Sequence, residues 1–193
     1  MRKLSFEEIT RLRPTPDALK RMPRLPVITV LDNIRSLYNV GSIFRTADGV
    51  RMEALYLTGI TGYPPRKEIE KTALGATETV PWKYWKDARQ AVQQLKQSGY
   101  TILALEHTTE SVPYSEVQYR FPLALILGNE VFGVQDELLP LVDAAIEIPM
   151  LGAKQSLNVS VAFGVVAYHL LNVYFSINPA FAVAENEGTN IGL

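Results

Sequence analysis

The sequence predicts an α/β fold built on a largely parallel sheet, and three observations carry that expectation. From Val27 onward, short apolar and β-branched runs alternate with segments whose apolar residues recur at helical spacing. The connections are short, so each strand–helix–strand unit returns to the same sheet in parallel. A length of 193 residues suits one domain with a sizeable core, and 47% hydrophobic against 20% charged residues is an ordinary globular balance.

The elements follow in chain order. Residues 1–26 carry seven Lys and Arg against three acids, a net +4 that leaves −5 for the rest of the chain. This basic arm is expected either to grip a phosphate backbone or to form a solvated amphipathic helix. A first strand is expected at VITVL (27–31), followed by a helix in NVGSIFRTADGV (39–50) and a second strand at ALYLTG (54–59). KEIEKTALG (67–75) reads as helix, ETVPW (78–82) as a third strand, and DARQAVQQLKQSG (87–99) as a helix capped by Asp87 and closed by Gly99. Strands at TILALE (101–106) and LALILG (123–128), a helix in VQDELLPLV (134–142) and a sixth strand at AIEIP (145–149) complete the expected sheet.

The last helix is expected in SLNVSVAFGVVAYHLLNVYF (156–175), with Ser156 as its N-cap and Pro179 ending it. Residues 155–184 contain no charged side chain, a length sufficient to cross a bilayer at ~20 residues. Asn158, Ser160, His169 and Asn172 are spread through it, however, and no Lys or Arg cluster flanks it. The expectation is therefore no membrane, but a helix buried on two sides, by its own sheet and by another subunit. The division expected is a 1–26 arm, a 27–178 domain and a 179–193 tail.

Composition removes several chemistries. Without cysteine there is no disulfide, Cys-ligated zinc, iron–sulfur cluster or thiol nucleophile. Two histidines and no HExxH pair give no expected metal site. MRKLSFEEITRLRP has no apolar signal core, so the expected location is cytoplasmic. No GxGxxG follows the first strand, and GNEVFG lacks the lysine of a P-loop.

What remains is three polar clusters, each just after a strand: DNIRSLYNVGSIFRTADG (32–49), LGNEVFG (127–133) and IPMLGAKQSLNVSVA (148–162). With KTALGATETVPW (71–82) between the first two, they resemble in content and order the sequence blocks of the SpoU (TrmH-type) ribose methyltransferases of the SPOUT superfamily. The resemblance spans roughly residues 27–175. It implies a sheet with helices on both faces and a C-terminal deep trefoil knot that holds S-adenosylmethionine in a bent conformation. It further implies an obligate homodimer with the active site where two subunits meet, and RNA as substrate, tRNA ahead of ribosomal RNA. A catalytically silent RNA-binding protein of the same fold is the alternative from another class.

By the same resemblance, donor contacts fall on Leu105, Gly128, Ile148, Ser156 and Leu157, with Met150 added. Glycines at Gly128 and Gly152 would let backbone approach a planar ring sandwiched by Leu127, Ile148, Met150 and Leu157. For Ile148 and Leu157, plain core packing remains the alternative. The catalytic assignments are Arg45, Asn39, Glu130 and Asn158. The family's arginine at the Arg45 position has been proposed as the base for the 2′-hydroxyl, but a guanidinium with pKa above ~12 stays protonated. Clamping phosphate and stabilising a developing alkoxide is the more economical role, and an ion pair with Asp48 or Glu53 is the structural alternative. Asn39 would hold the arginine or the ribose. Glu130 would orient groups at the donor pocket or accept the proton itself, against a simple helix N-terminal acid. Asn158, one turn into the last helix, would hydrogen-bond near the sulfonium, against an asparagine satisfied at a helix start. His107 reads as a loop histidine and His169 as a buried helix residue, while Arg66, Lys67 and Lys71 either touch RNA or are ordinary surface cations.

Overall fold

The computed structural model describes residues 1–179. Two short helices open the chain, α1 (Phe6–Arg11) under a Ser5/Glu8 capping box and α2 (Pro16–Arg21) under Thr15. The α1 helix buries nothing. The Arg51 guanidinium, donating to the Leu19, Met22 and Pro23 carbonyls, ties the end of the arm to the body.

The body alternates as expected: β1 (Leu25–Asp32), α3 (Leu37–Gly49), β2 (Met52–Thr58), α4 (Lys67–Ala73), α5 (Ala76–Thr79), β3 (Trp82–Trp85), α6 (Ala88–Gln97) and β4 (Thr101–Leu105). Then come β5 (Val112–Pro113), β6 (Leu123–Leu127), β7 (Ala144–Glu147) and α7 (Val159–Ile177). All seven strands run parallel in one sheet of order β3-β2-β1-β6-β4-β7-β5. β1 is an interior strand beside the central β6, and its residues alternate between two cores. Val27 and Leu31 face a core shared with α3, α4, α5 and α7, while Ile28 and Val30 face one shared with α6. Helices therefore cover both faces, which is why β6 is apolar throughout and β1 is nearly so, Thr29 and Asp32 excepted.

Four expectations are corrected. The third strand starts at Trp82: Leu74 and Gly75 take left-handed backbone, and residues 76–79 wind into α5 before the chain pairs with β2. The VQDELLPLV segment is not an α-helix. The Val134 and Gln135 amides are drawn onto the Glu106 and Asp32 carboxylates, and only a 3-10 turn forms, at Leu139–Leu141 around Pro140. The N-cap of α7 is Asn158, whose Oδ1 accepts from the Ser160 amide at 2.9 Å, so Asn158 sits at the helix start and Ser156 lies in the preceding loop. The sheet also has a seventh strand, β5, two residues long and too short to read from sequence. Asp87 and Gly99 do bound α6, Gly99 with φ +84°. Of the expected 179–193 tail, residues 180–193 lie outside those described.

The α7 helix is long and apolar enough to cross a membrane by length and composition. Its Phe163, Val166, Ala167 and Leu170 face is fully buried against the sheet and α3. The opposite stripe, Val161, Val165, Tyr168 and Asn172, is uncharged and open, Val161 being 53% and Tyr168 50% exposed. His169 stacks edge-on between Tyr114 and Tyr119, and burial pushes its pKa down.

Close contact between α3 and α4 depends on Gly41, because a Cβ there would collide with the Thr72 hydroxyl and the Ile69 carbonyl. Gly41→Ala is expected to cost about 1–3 kcal/mol, as over-packing does. Urea unfolding should show a lower midpoint at unchanged slope.

Candidate functional site

A cavity of about 300 Å³ opens at the carboxyl ends of β4, β6 and β7, where ligands of open parallel sheets bind. All six expected donor-contact residues line it: Leu105, Gly128, Ile148, Met150, Ser156 and Leu157. Leu127 joins them. Ile148 also packs against the main core, so its packing and lining roles coexist. Two details differ from the sequence reading. Gly152 is exposed and absent from the wall. Gly128 is required for another reason: a Cβ there would strike the backbone of Gly133 and Val134, where the loop after β6 folds back through the paired Asn129 and Gly133 backbones.

The polar rim joins all three blocks. Glu130 lies on the N-terminus of α3, accepting from the Arg35 amide at 2.9 Å, the Ser36 amide at 3.0 Å and Asn39 Nδ2 at 2.9 Å. Asn39 Oδ1 in turn accepts from Asn158 Nδ2 at 3.1 Å. Glu130, Asn39 and Asn158 thus form one chain from the β6 loop through α3 to α7, and Asn158 is both helix cap and rim residue. Burial pushes the Glu130 carboxyl up, but the two backbone amides and Asn39 outweigh it and hold it below the usual carboxylate range. A carboxylate so occupied is a poor proton acceptor and a good anchor.

Arg45 stands apart. It lies about 9 Å along α3 from Asn39 at 1.5 Å per residue, is exposed, and does not line the cavity. Among the described residues it has no ion pair or hydrogen bond, and the alternative partners are engaged elsewhere, Asp48 with Thr79 and Glu53 with Tyr100.

Sequence reasoning passed over Glu106, Asn129 and Glu147 and took His107 for a loop histidine; all four line the cavity. Glu106 Oε2 accepts from the Val134 amide at 2.9 Å. Glu147 accepts from Ser111 Oγ at 2.6 Å and faces His107 Nδ1 at 3.3 Å, which holds its pKa down, while His107 Nε2 lies 3.1 Å from the Gln155 carbonyl. Their position directly at the ends of β4 and β7 was the available signal. With Glu130 they give the cavity three carboxylates against one histidine, a setting suited to a cationic ligand. No group of three or more candidate metal ligands occurs among the described residues.

Residues 26–168 match the model of the SpoU rRNA Methylase family. A tRNA (guanosine(18)-2′-O)-methyltransferase of Thermus thermophilus is 36% identical over 159 residues, covering 82% of this chain and 80% of that relative. The crystal structure of the Aquifex aeolicus TrmH/SpoU tRNA modifying enzyme superposes with a TM-score of 0.74 at 29% identity, covering 94% of this chain and 96% of the other. An AdoMet-bound rRNA methyltransferase from Sinorhizobium meliloti superposes with a TM-score of 0.70 at 26% identity, over 79% of this chain and 61% of that one.

Glu130 has a folded pKa below its unfolded one, so its contribution to stability is complete above the ordinary glutamate range and lost as pH falls through the folded value. Glu130→Gln should therefore be less stable than the parent at about pH 7, with the gap closing toward about pH 3. Urea unfolding at the two pH values checks this. Hydrogen exchange at the Arg35 and Ser36 amides should accelerate in the variant.

Proposed function

Since the chain belongs to the SpoU rRNA methylase family, we propose that it transfers the methyl group of S-adenosylmethionine to a ribose 2′-hydroxyl of RNA, tRNA ahead of ribosomal RNA. The observation that carries this reading is that the second and third sequence blocks line one cavity and the first is tied to its rim by the Glu130–Asn39–Asn158 chain. The cavity's apolar walls from Leu105, Leu127, Ile148, Met150 and Leu157 suit a planar base, and its carboxylates suit a sulfonium and an ammonium group. About 300 Å³ is at the lower bound of ligand pockets and fits a compact, folded conformation of the donor.

The bound donor supplies an already activated methyl, so the chain's own task is to place the attacking oxygen in line. Glu130 fixes the N-terminus of α3 and, through Asn39, the start of α7, which sets the Ser156–Leu157 side of the cavity relative to the β6 side. Arg45 supplies the free cation that clamps an RNA phosphate and stabilises the developing alkoxide. Its distance from its own cavity supports a site completed across two subunits. The open uncharged stripe of α7, with Tyr168 lying against the end of α3 at Gly49, is the surface we assign to that homodimer. The reading includes threading of the β6–α7 region as a deep trefoil knot, and a cytoplasmic location.

Three outcomes test this. Calorimetry should show S-adenosylmethionine binding in competition with its demethylated product, and Gly128→Ala should lose both by displacing the Gly133–Val134 backbone. Val161→Glu should give a folded monomer by light scattering, since the residue is exposed on the single chain. Arg45→Ala should lower single-turnover methylation by ~10²–10³, as removal of one preorganised donor does. Donor affinity should stay unchanged, and Arg45→Lys should retain part of the rate with no steep alkaline rise; a steep rise would assign the residue as base.

A further inference from the structure

The edge of the sheet farthest from the α7 cap carries an aromatic cluster that the donor cavity does not use. On one face of β3, Trp82 and Tyr84 lie beside Tyr63 of the loop after β2. The Tyr63 and Tyr84 centroids are 4.7 Å apart, and Tyr63 stacks on Trp82 at 6.2 Å with 27° between planes. Tyr63 is 42% and Tyr84 37% exposed, unusual for packed rings. Tyr84 Oη donates to the Gly59 carbonyl at 2.8 Å, fixing its ring to the loop. On the other face Trp85 lies 5.7 Å from Tyr56 under Lys83 Nζ, 3.9 Å from its ring centre.

The two segments that carry the exposed rings hold charge of one sign, although Glu68 and Asp87 follow them directly and Glu53 acts on Tyr56. Residues 59–67 and 80–86 contain Arg66, Lys67, Lys83 and Lys86 and no carboxylate, in a body that is net negative beyond the arm. The strand order places the cluster and the donor cavity at the same end of the sheet. β3 is three strands from β6, about 14 Å at the usual strand spacing. Between them lies a second, open cleft of about 720 Å³ bordered by Arg35, Ile60 and Phe132, with Asp136 and Glu137 also on its wall, which meets the donor cavity at Asn129 and Gly133.

We propose that Tyr63 and Tyr84 form a stacking platform for an unpaired base of the RNA substrate, a few nucleotides from the methylated ribose, with Arg66, Lys67 and Lys86 holding the flanking phosphates. Exposed rings in a basic surround bind single-stranded nucleic acid without reading sequence, because every base offers a π face. This inference rests on the RNA-methyltransferase reading above.

Both tryptophans of the chain, Trp82 and Trp85, lie in this edge, so intrinsic fluorescence reports it alone. Titrating the full-length protein with an unmodified tRNA transcript should quench tryptophan emission, whereas heparin at matched charge should not. Tyr63→Ala should raise the RNA KM about tenfold, with kcat and donor affinity unchanged and the thermal midpoint retained, and Tyr63→Phe should restore the KM. An unchanged KM in Tyr63→Ala, or equal quenching by heparin, overturns the platform while methylation by the wild type preserves the functional reading. A wild-type enzyme that binds S-adenosylmethionine and methylates no RNA overturns both.

Discussion

Backbone amides at the carboxyl end of the sheet have no ladder or helix to satisfy them, and the arrangement of the site follows from how they are taken up. Three carboxylates do it: Asp32 accepts from Gln135, Glu106 from Val134, and Glu130 from Arg35 and Ser36. Each bond joins residues far apart in sequence, so each fixes one loop against another strand. The Val134 amide, on a residue 4% exposed, would cost about 1–3 kcal/mol if left unpaired, which holds this loop as a rigid wall, while the bonds to Arg35 and Ser36 lie nearer solvent. Asp32 is itself fully buried, and burial pushes its carboxyl up against the lowering effect of the Gln135 and Asn33 donors.

Rigid walls are what a methyl-transfer site requires. The donor carries the chemistry, so the protein contributes by holding two reactants in line. The chain from Glu130 to Asn158 makes the donor side and the arginine-bearing helix one unit, since Asn39 and Arg45 share α3. A shift of either loop would move cavity and helix together. The glycines serve the same end: Gly128 lets the β6 loop double back on itself, and Gly133 accommodates the Glu106 carboxylate at φ +71°.

The fold was largely legible because its interior strands are mostly apolar and several of its helices carry ordinary caps. β1, β2, β4, β6 and β7 appear within a few residues of expectation, as does the Asp87 cap of α6. The two misreadings have different causes, one distant and one local. VQDELLPLV has helical periodicity, but Asp32 and Glu106, roughly thirty to a hundred residues earlier, take the amides that would have begun the helix. ETVPW has strand composition, yet Leu74 and Gly75 turn the chain first.

By itself the sequence determined the α/β class, the location of the polar clusters after strands, the family, and six residues that come to line one cavity, because all of these follow from local pattern and motif. Tertiary structure decided what those residues do to one another. That Glu130 is an anchor with its oxygens occupied, that Asn158 is a cap, that Gly128 faces backbone, and that Arg45 stands away from its own cavity are consequences of contacts between distant segments. Local periodicity carries no information on such contacts, since the partner of each group is set by the order of strands in the sheet.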